Sequence, residues 1–163
     1  MIFFDYDGVL GNTEIGLFDE YERLKKIRPE LTHVAYLRAM DWGSWLRKAG
    51  PKKDAFTTLK SYDPSVAAIL TRCWSTMEAI EKICYIRENG VQNPIIIVPG
   101  GLKKTELVCP KGHLLVEDQL GNAKDWLERG GAALMLDQGP FEECPTIHSI
   151  EEAFIYAKEY GYI

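Results

Sequence analysis

Short unbroken apolar runs and helically spaced apolar stripes take turns along most of the chain. The first run, Met1-Ile-Phe-Phe4, leads straight into Asp5-Tyr-Asp7-Gly8-Val-Leu10. An apolar run that ends in acids reads as a buried parallel strand whose C-terminal end opens onto a site. Four further runs, Val66 to Leu70, Pro94 to Val98, His113 to Val116 and Ala132 to Leu136, read as strands of the same kind. Helices are predicted between and after them. Ser75-Thr-Met-Glu78 and Ser149-Ile-Glu-Glu152 carry the Ser-x-x-Glu pattern that opens a helix, while Asn89-Gly90 and Gly130-Gly131 close the two helices that precede them. A helix from about Asn122 to Arg129 joins the last two strands. Strand and helix in alternation predict a three-layer, Rossmann-like α/β fold with a parallel five-stranded sheet.

The rhythm breaks once, over residues 12–64, which hold no strand pattern. Helices are predicted from Thr13 to Lys26, from Leu31 to Ala49 and from Asp54 to Ser61. Pro29, Gly50-Pro51 and Asp63-Pro64 separate them. Residues 12–64 therefore read as a small helical cap, a separate lobe inserted after the first strand. The α/β core is then residues 1–11 and 65–163. Substrate exchange predicts a hinge near Gly11 and Pro64.

Length and charge narrow the partners. The 163 residues suffice for one ordinary domain with a small insertion. A net charge of −5 argues against an extended nucleic-acid partner or a membrane surface, both of which call for a basic stripe. No apolar stretch approaches the roughly 20 residues that span a bilayer. The chain starts on a strand pattern rather than a basic lead, so no signal peptide is expected and the location predicted is cytoplasmic. Cys73, Cys84, Cys109 and Cys144 are widely spaced and read as reduced thiols. Cys109 and His113 would supply two metal ligands, but no second pair completes a zinc set.

The candidate chemistry lies where strands end. Asp5 and Asp7 are two apart, so in a straight strand they would share a face. Close carboxylates repel and need a cation or a shared proton. Gly8 lets the backbone turn sharply and approach a ligand. Thr71 follows the second strand and offers a hydroxyl to a phosphate oxygen, with Arg72 beside it to contact substrate. Lys103 and Lys104 follow the third strand, and either would neutralise an attacked phosphoryl group. Glu117 and Asp118 follow the fourth and would complete a site for a hard cation with Asp5; magnesium prefers such oxygen ligands.

Over nearly its whole length this pattern resembles the haloacid dehalogenase-like (HAD) superfamily of phosphatases. Asp5-Tyr-Asp7-Gly-Val-Leu10 is similar to the family's first motif and Thr71 to its second. Lys104 in Lys103-Lys104-Thr105 is similar to the third, and Val116-Glu117-Asp118 with Asn122 to the fourth. Leu114 to Asp118, Asn122, Trp126 and Gly130-Gly131 further resemble the 5′(3′)-deoxyribonucleotidases, with Glu as the first acid here. The resemblance implies an aspartyl-phosphate on Asp5 and Asp7 as general acid and base. Thr71 and Lys104 would hold the phosphoryl group. Magnesium would sit on Asp5, the carbonyl of Asp7 and Asp118, with Glu117 a ligand or just behind one. It also implies that the cap selects the substrate. Phe18, Tyr21, Tyr36, Trp42 and Trp45 are its aromatic candidates for stacking, with Arg38, Arg47, Lys52 and Lys53 nearby. The expected substrate is a small phosphomonoester, preferably a nucleoside monophosphate. Sugar phosphates, nucleic-acid 3′ ends and a non-catalytic binding role are the alternatives.

Overall fold

In the computed structural model, which describes residues 1–163, six strands form one sheet. They are β1 (Ile2–Phe4), β2 (Ala67–Cys73), β3 (Ile95–Pro99), β4 (Leu114–Glu117), β5 (Ala132–Leu136) and β6 (Thr146–Ile147), in the order β3-β2-β1-β4-β5-β6. Every pairing is parallel. The sheet has one strand more than the sequence pattern predicts. Thr146–Ile147 is too short to show a period, and it joins the edge of β5 through Met135 N–H to the Pro145 carbonyl and Asp137 N–H to the Ile147 carbonyl.

Seven helices accompany the sheet: α1 (Leu17–Ile27), α2 (His33–Ala39), α3 (Trp42–Ala49), α4 (Ala55–Ser61), α5 (Thr76–Glu88), α6 (Leu120–Glu128) and α7 (Ile150–Glu159). The single helix expected over Leu31–Ala49 is two. Met40 is extended, and the Asp41 carboxylate accepts from Ser44 N–H (3.1 Å) and Ser44 Oγ (2.6 Å), which starts a new helix. α1 starts at Leu17 rather than Thr13, because Thr13 turns its hydroxyl toward Asp7 instead of capping a helix.

Strand alternation sorts the core into two faces. Ile2, Phe4, Ile69, Leu114, Val116 and Leu134 point one way, onto Ile86 of α5 and Phe154 of α7. Phe3, Ala68, Leu70 and Leu115 point the other way, onto Trp126 of α6. The first cluster, of 27 buried residues, runs on without a break into Tyr21, Tyr36, Leu37, Trp42 and Leu46. The helical insertion is therefore not a separate lobe with its own core. The chain leaves the core at Gly11–Asn12 and returns at Gly50–Pro51, where Asn12 N–H donates to the Gly50 carbonyl and Lys52 N–H to the Leu10 carbonyl. α4 then packs on α7, and Phe56 meets the Tyr85 ring of α5. The two connections run side by side, and the second lies at Pro51, not at Pro64. No helix is long and apolar enough to cross a membrane.

Candidate active site

β1 is central, and the strand order reverses between it and β4: β2 and β3 lie to one side, β4 to β6 to the other. Open parallel sheets bind ligands at such a crevice, beyond the carboxyl ends of the strands. Asp5 continues β1 there, its N–H bonded to the Val116 carbonyl of β4. The chain then coils tightly, with the Tyr6 carbonyl accepting from the amides of Val9, Leu10 and Gly11. Asp7 thus belongs to a loop, not to a straight strand, and strand alternation does not orient it relative to Asp5.

Lys104 lies inside the crevice, buried, with Nζ 2.9 Å from Asp5 Oδ2 and 2.7 Å from Glu117 Oε1. Lys103 points outward and pairs with Asp125 at 2.5 Å. Of the two adjacent lysines, Lys104 is the one at Asp5. Glu117 is fully buried, and its carboxylate also accepts from Asn122 Nδ2 (2.7 Å) and Asp118 N–H (3.1 Å). Burial works to raise the Glu117 carboxyl, but Lys104 and the bonds from Lys104, Asp5 and Asn122 hold it below its ordinary value. Asp5 is pushed the other way, up to about 6, by burial and then by the Glu117 charge, against Lys104.

Asp5, Glu117 and Asp118 place ligand atoms within 4.8 Å of one another. Asp118 Oδ1 is buried without a hydrogen-bond partner. Burial, then the charges of Glu117, Asp5 and Glu14, push the Asp118 carboxyl up to about 9. Gly8, at φ +70°, makes the room: a Cβ there would lie 2.1 Å from Asp118 Oδ2. Three acids, an orphaned oxygen and a shortage of positive charge fit a hard divalent cation. The Asp7 carboxylate stands outside this cluster, and Cys109 and His113 form no such cluster.

Asp7 instead meets Lys82, a residue that sequence reasoning missed. Lys82 Nζ lies 2.5 Å from Asp7 Oδ2 and 2.8 Å from Glu78 Oε1, while Thr13 Oγ1 donates to Asp7 Oδ1 at 2.6 Å. Glu78 Oε2 accepts from Trp74 N–H at 2.7 Å, so its carboxylate caps the turn before Ser75 as well as pairing with Lys82. Burial alone would lower the Lys82 ammonium; the charges of Asp7 and Glu78 work against burial and raise it. The only signal in the sequence is Glu78 four residues before Lys82, which ordinarily reads as a solvated helix pair.

A cavity of about 280 Å³ opens above these groups. Asp5, Asp7, Lys104, Arg72 and Asn122 line its floor, and Leu17, His33, Leu37 and Trp42 of the insertion face them, with Trp74 at the side. Arg72 donates to Asn122 Oδ1 (3.3 Å), and its Nε is buried without a partner. A second cavity of about 270 Å³, reached past Arg72 and Lys104, is lined by no apolar residue and includes Lys103. Thr71 is fully buried and is not part of either lining; its hydroxyl accepts from Lys82 at 3.4 Å. Of the five expected aromatics only Trp42 lines the main cavity. Tyr21 and Tyr36 pack on each other, Phe18 is exposed, and Trp45 donates to the Thr13 carbonyl. Of the nearby cations, Arg47 points to Glu88 and Lys52 to Asp137, while Arg38 donates to the Trp74 carbonyl at 3.0 Å. Trp74 and Glu14 were not foreseen; both sit in the cavity wall.

No protein-family profile and no curated protein matches the chain. Solved structures do. A HAD-superfamily hydrolase of subfamily IA, variant 1, from Geobacter sulfurreducens PCA is 12% identical, with 95% of this chain and 97% of that one covered and a TM-score of 0.65. The Bacillus subtilis HAD-hydrolase YfnB, bound to magnesium, is 13% identical over 95% of this chain and 96% of its own, with a TM-score of 0.60. A HAD family hydrolase from Deinococcus radiodurans R1, with bound phosphate and sodium, is 13% identical over 99% and 96%, with a TM-score of 0.52. These likenesses show the fold: a Rossmann-like α/β architecture shared with HAD hydrolases.

Proposed function

We propose that the protein is a magnesium-dependent phosphatase of small phosphomonoesters. The observation that carries this reading is the buried Asp5 on the cavity floor, bonded by Lys104 and grouped with Glu117 and Asp118. In this reading the Asp5 carboxylate attacks phosphorus and the bond to the leaving oxygen breaks, giving an aspartyl-phosphate. Asp7 gives the leaving oxygen its proton, then takes one from the water that attacks phosphorus and frees Asp5 and inorganic phosphate. Lys104 neutralises the phosphoryl oxygens, and the Arg72 guanidinium, which lines the cavity, takes another. Asp5, Asp118 and the carbonyl of Asp7 would hold magnesium, with Glu117 alongside. When bound, the ion supplies positive charge between the carboxylate and the phosphate, two anions that otherwise repel.

Nucleoside monophosphates are the preferred substrates in this reading, because Trp42 and Trp74 both line one cavity and Trp74, only partly buried, offers apolar ring surface to a base. The wholly polar second cavity favours sugar phosphates as the other reading. The test is phosphate release from 5′ and 3′ nucleotides, sugar phosphates and an aryl phosphate, with magnesium and with EDTA. Magnesium-dependent release that falls by at least about 10³-fold in Asp5→Asn is the expected result. Equal release by wild type and Asp5→Asn would sink the catalytic reading.

A further inference from the structure

Lys82 is a charged side chain next to the cavity with no exposed surface. A buried ammonium is a poor way to stabilise a core, since an apolar residue of similar size commonly serves as well or better. Nor does Glu78 explain it. A Glu–Lys pair one helical turn apart would be complete at 2.8 Å, yet the shorter bond, 2.5 Å, goes to Asp7 Oδ2. The surroundings leave the ammonium almost no freedom. Thr71 Oγ1 and the Arg72 carbonyl each accept from it at 3.4 Å, and the rings of Trp42 and Tyr6 lie 5.1 and 5.6 Å from Nζ. Trp42 is itself fixed, its indole N–H donating to the Leu37 carbonyl at 2.8 Å.

We infer that Lys82 is a positioning residue for the acid–base step, a role that rests on the phosphatase reading above. Nζ holds Asp7 Oδ2 while Thr13 Oγ1 donates to Oδ1 at 2.6 Å, so the carboxyl group has one orientation and the remaining lone pair of Oδ1 exchanges a proton with the leaving group. Lys82 neither touches phosphate nor gives up its own proton. Because Trp42 comes from the insertion and Glu78 from α5, the ammonium aligns Asp7 with respect to both walls of the cavity. An acid misplaced by about 1 Å loses much of its effect, and the loss is greatest where the leaving oxygen most needs a proton.

That dependence supplies the test. Aryl phosphates leave as stable phenolates, whereas alkyl phosphates need protonation. In the full-length protein with magnesium, Lys82→Met is expected to lower the alkyl-to-aryl ratio of kcat at least about ten-fold, with KM changed less than about three-fold. Lys82→Arg is expected to restore part of the ratio. Adding Lys82→Met to Asp7→Asn is expected to change the ratio no further, since the group being positioned is gone. Lys82→Met leaves Glu78 without its cation, so the same ratio is read in Glu78→Gln/Lys82→Met, with a melting curve to confirm folding. If every ester slows alike, or the two substitutions multiply, Lys82 is structural and the inference is overturned while the phosphatase reading stands. If the wild type releases phosphate from no ester, the phosphatase reading fails and takes this inference with it.

Discussion

Asp118 carries the sharpest electrostatic conflict in the molecule. Its carboxyl is raised to about 9, first by burial and then by Glu117, Asp5 and Glu14. Between roughly pH 4 and 9 the folded metal-free protein keeps a proton that the unfolded chain releases, so stability is highest below that window and falls as pH rises through it. We expect the melting temperature of the wild type in EDTA to fall relative to Asp118→Asn as pH goes from 5 to 8. The difference corresponds to at most about 1.4 kcal/mol per pH unit. Magnesium should narrow it; a difference that is flat with pH would remove Asp118 from the conflict. Lys104 was separable from Lys103 only by its resemblance to a family motif, whereas the acids that strand ends deliver, Asp5, Glu117 and Asp118, were legible in the sequence because an apolar run fixes where its polar terminus emerges. Lys82, Glu78 and Glu14 were not. Which face of α5 meets the loop after β1 is set by packing, and the one-turn spacing of Glu78 and Lys82 looks the same on a wet helix.

At the level of elements, the loop after β1 is as constrained as any strand. Gly8 has a positive φ, and its missing side chain leaves the space that Asp118 occupies. Gly8→Ala should cost about 1 kcal/mol in backbone strain. It should also displace Asp118 and weaken magnesium binding at least about ten-fold, read by calorimetric titration. Unchanged affinity would show that Asp118 is not a ligand. Five strands and the two Ser-capped helices were legible because each has a full period or a cap. β6 was not, since two residues carry no period. The break between α2 and α3 was hidden because Asp41, a capping residue, sits within a continuous apolar stripe.

Across the whole molecule, the insertion and the sheet share one apolar cluster, and the two connections between them lie side by side at Gly11–Asn12 and Gly50–Pro51. The sequence showed that a helical piece interrupts the α/β rhythm. It did not show where that piece ends, because α4 follows the same helical pattern as the three helices before it yet packs against α7. Placement of an amphipathic helix is a property of the surface it finds, not of its own stripe. The shared cavity has an optical consequence. Trp42 of the insertion and Trp74 after β2 both line it, Trp126 is sealed on the far face of the sheet, and Trp45 is tied to Thr13. Intrinsic fluorescence should therefore change when a phosphate analogue such as vanadate binds, and replacing both Trp42 and Trp74 with Phe should abolish the change. A full response from that double variant would place the emitting ring elsewhere. With the signal assigned, ultraviolet emission becomes a label-free gauge of how the two walls move about a bound molecule.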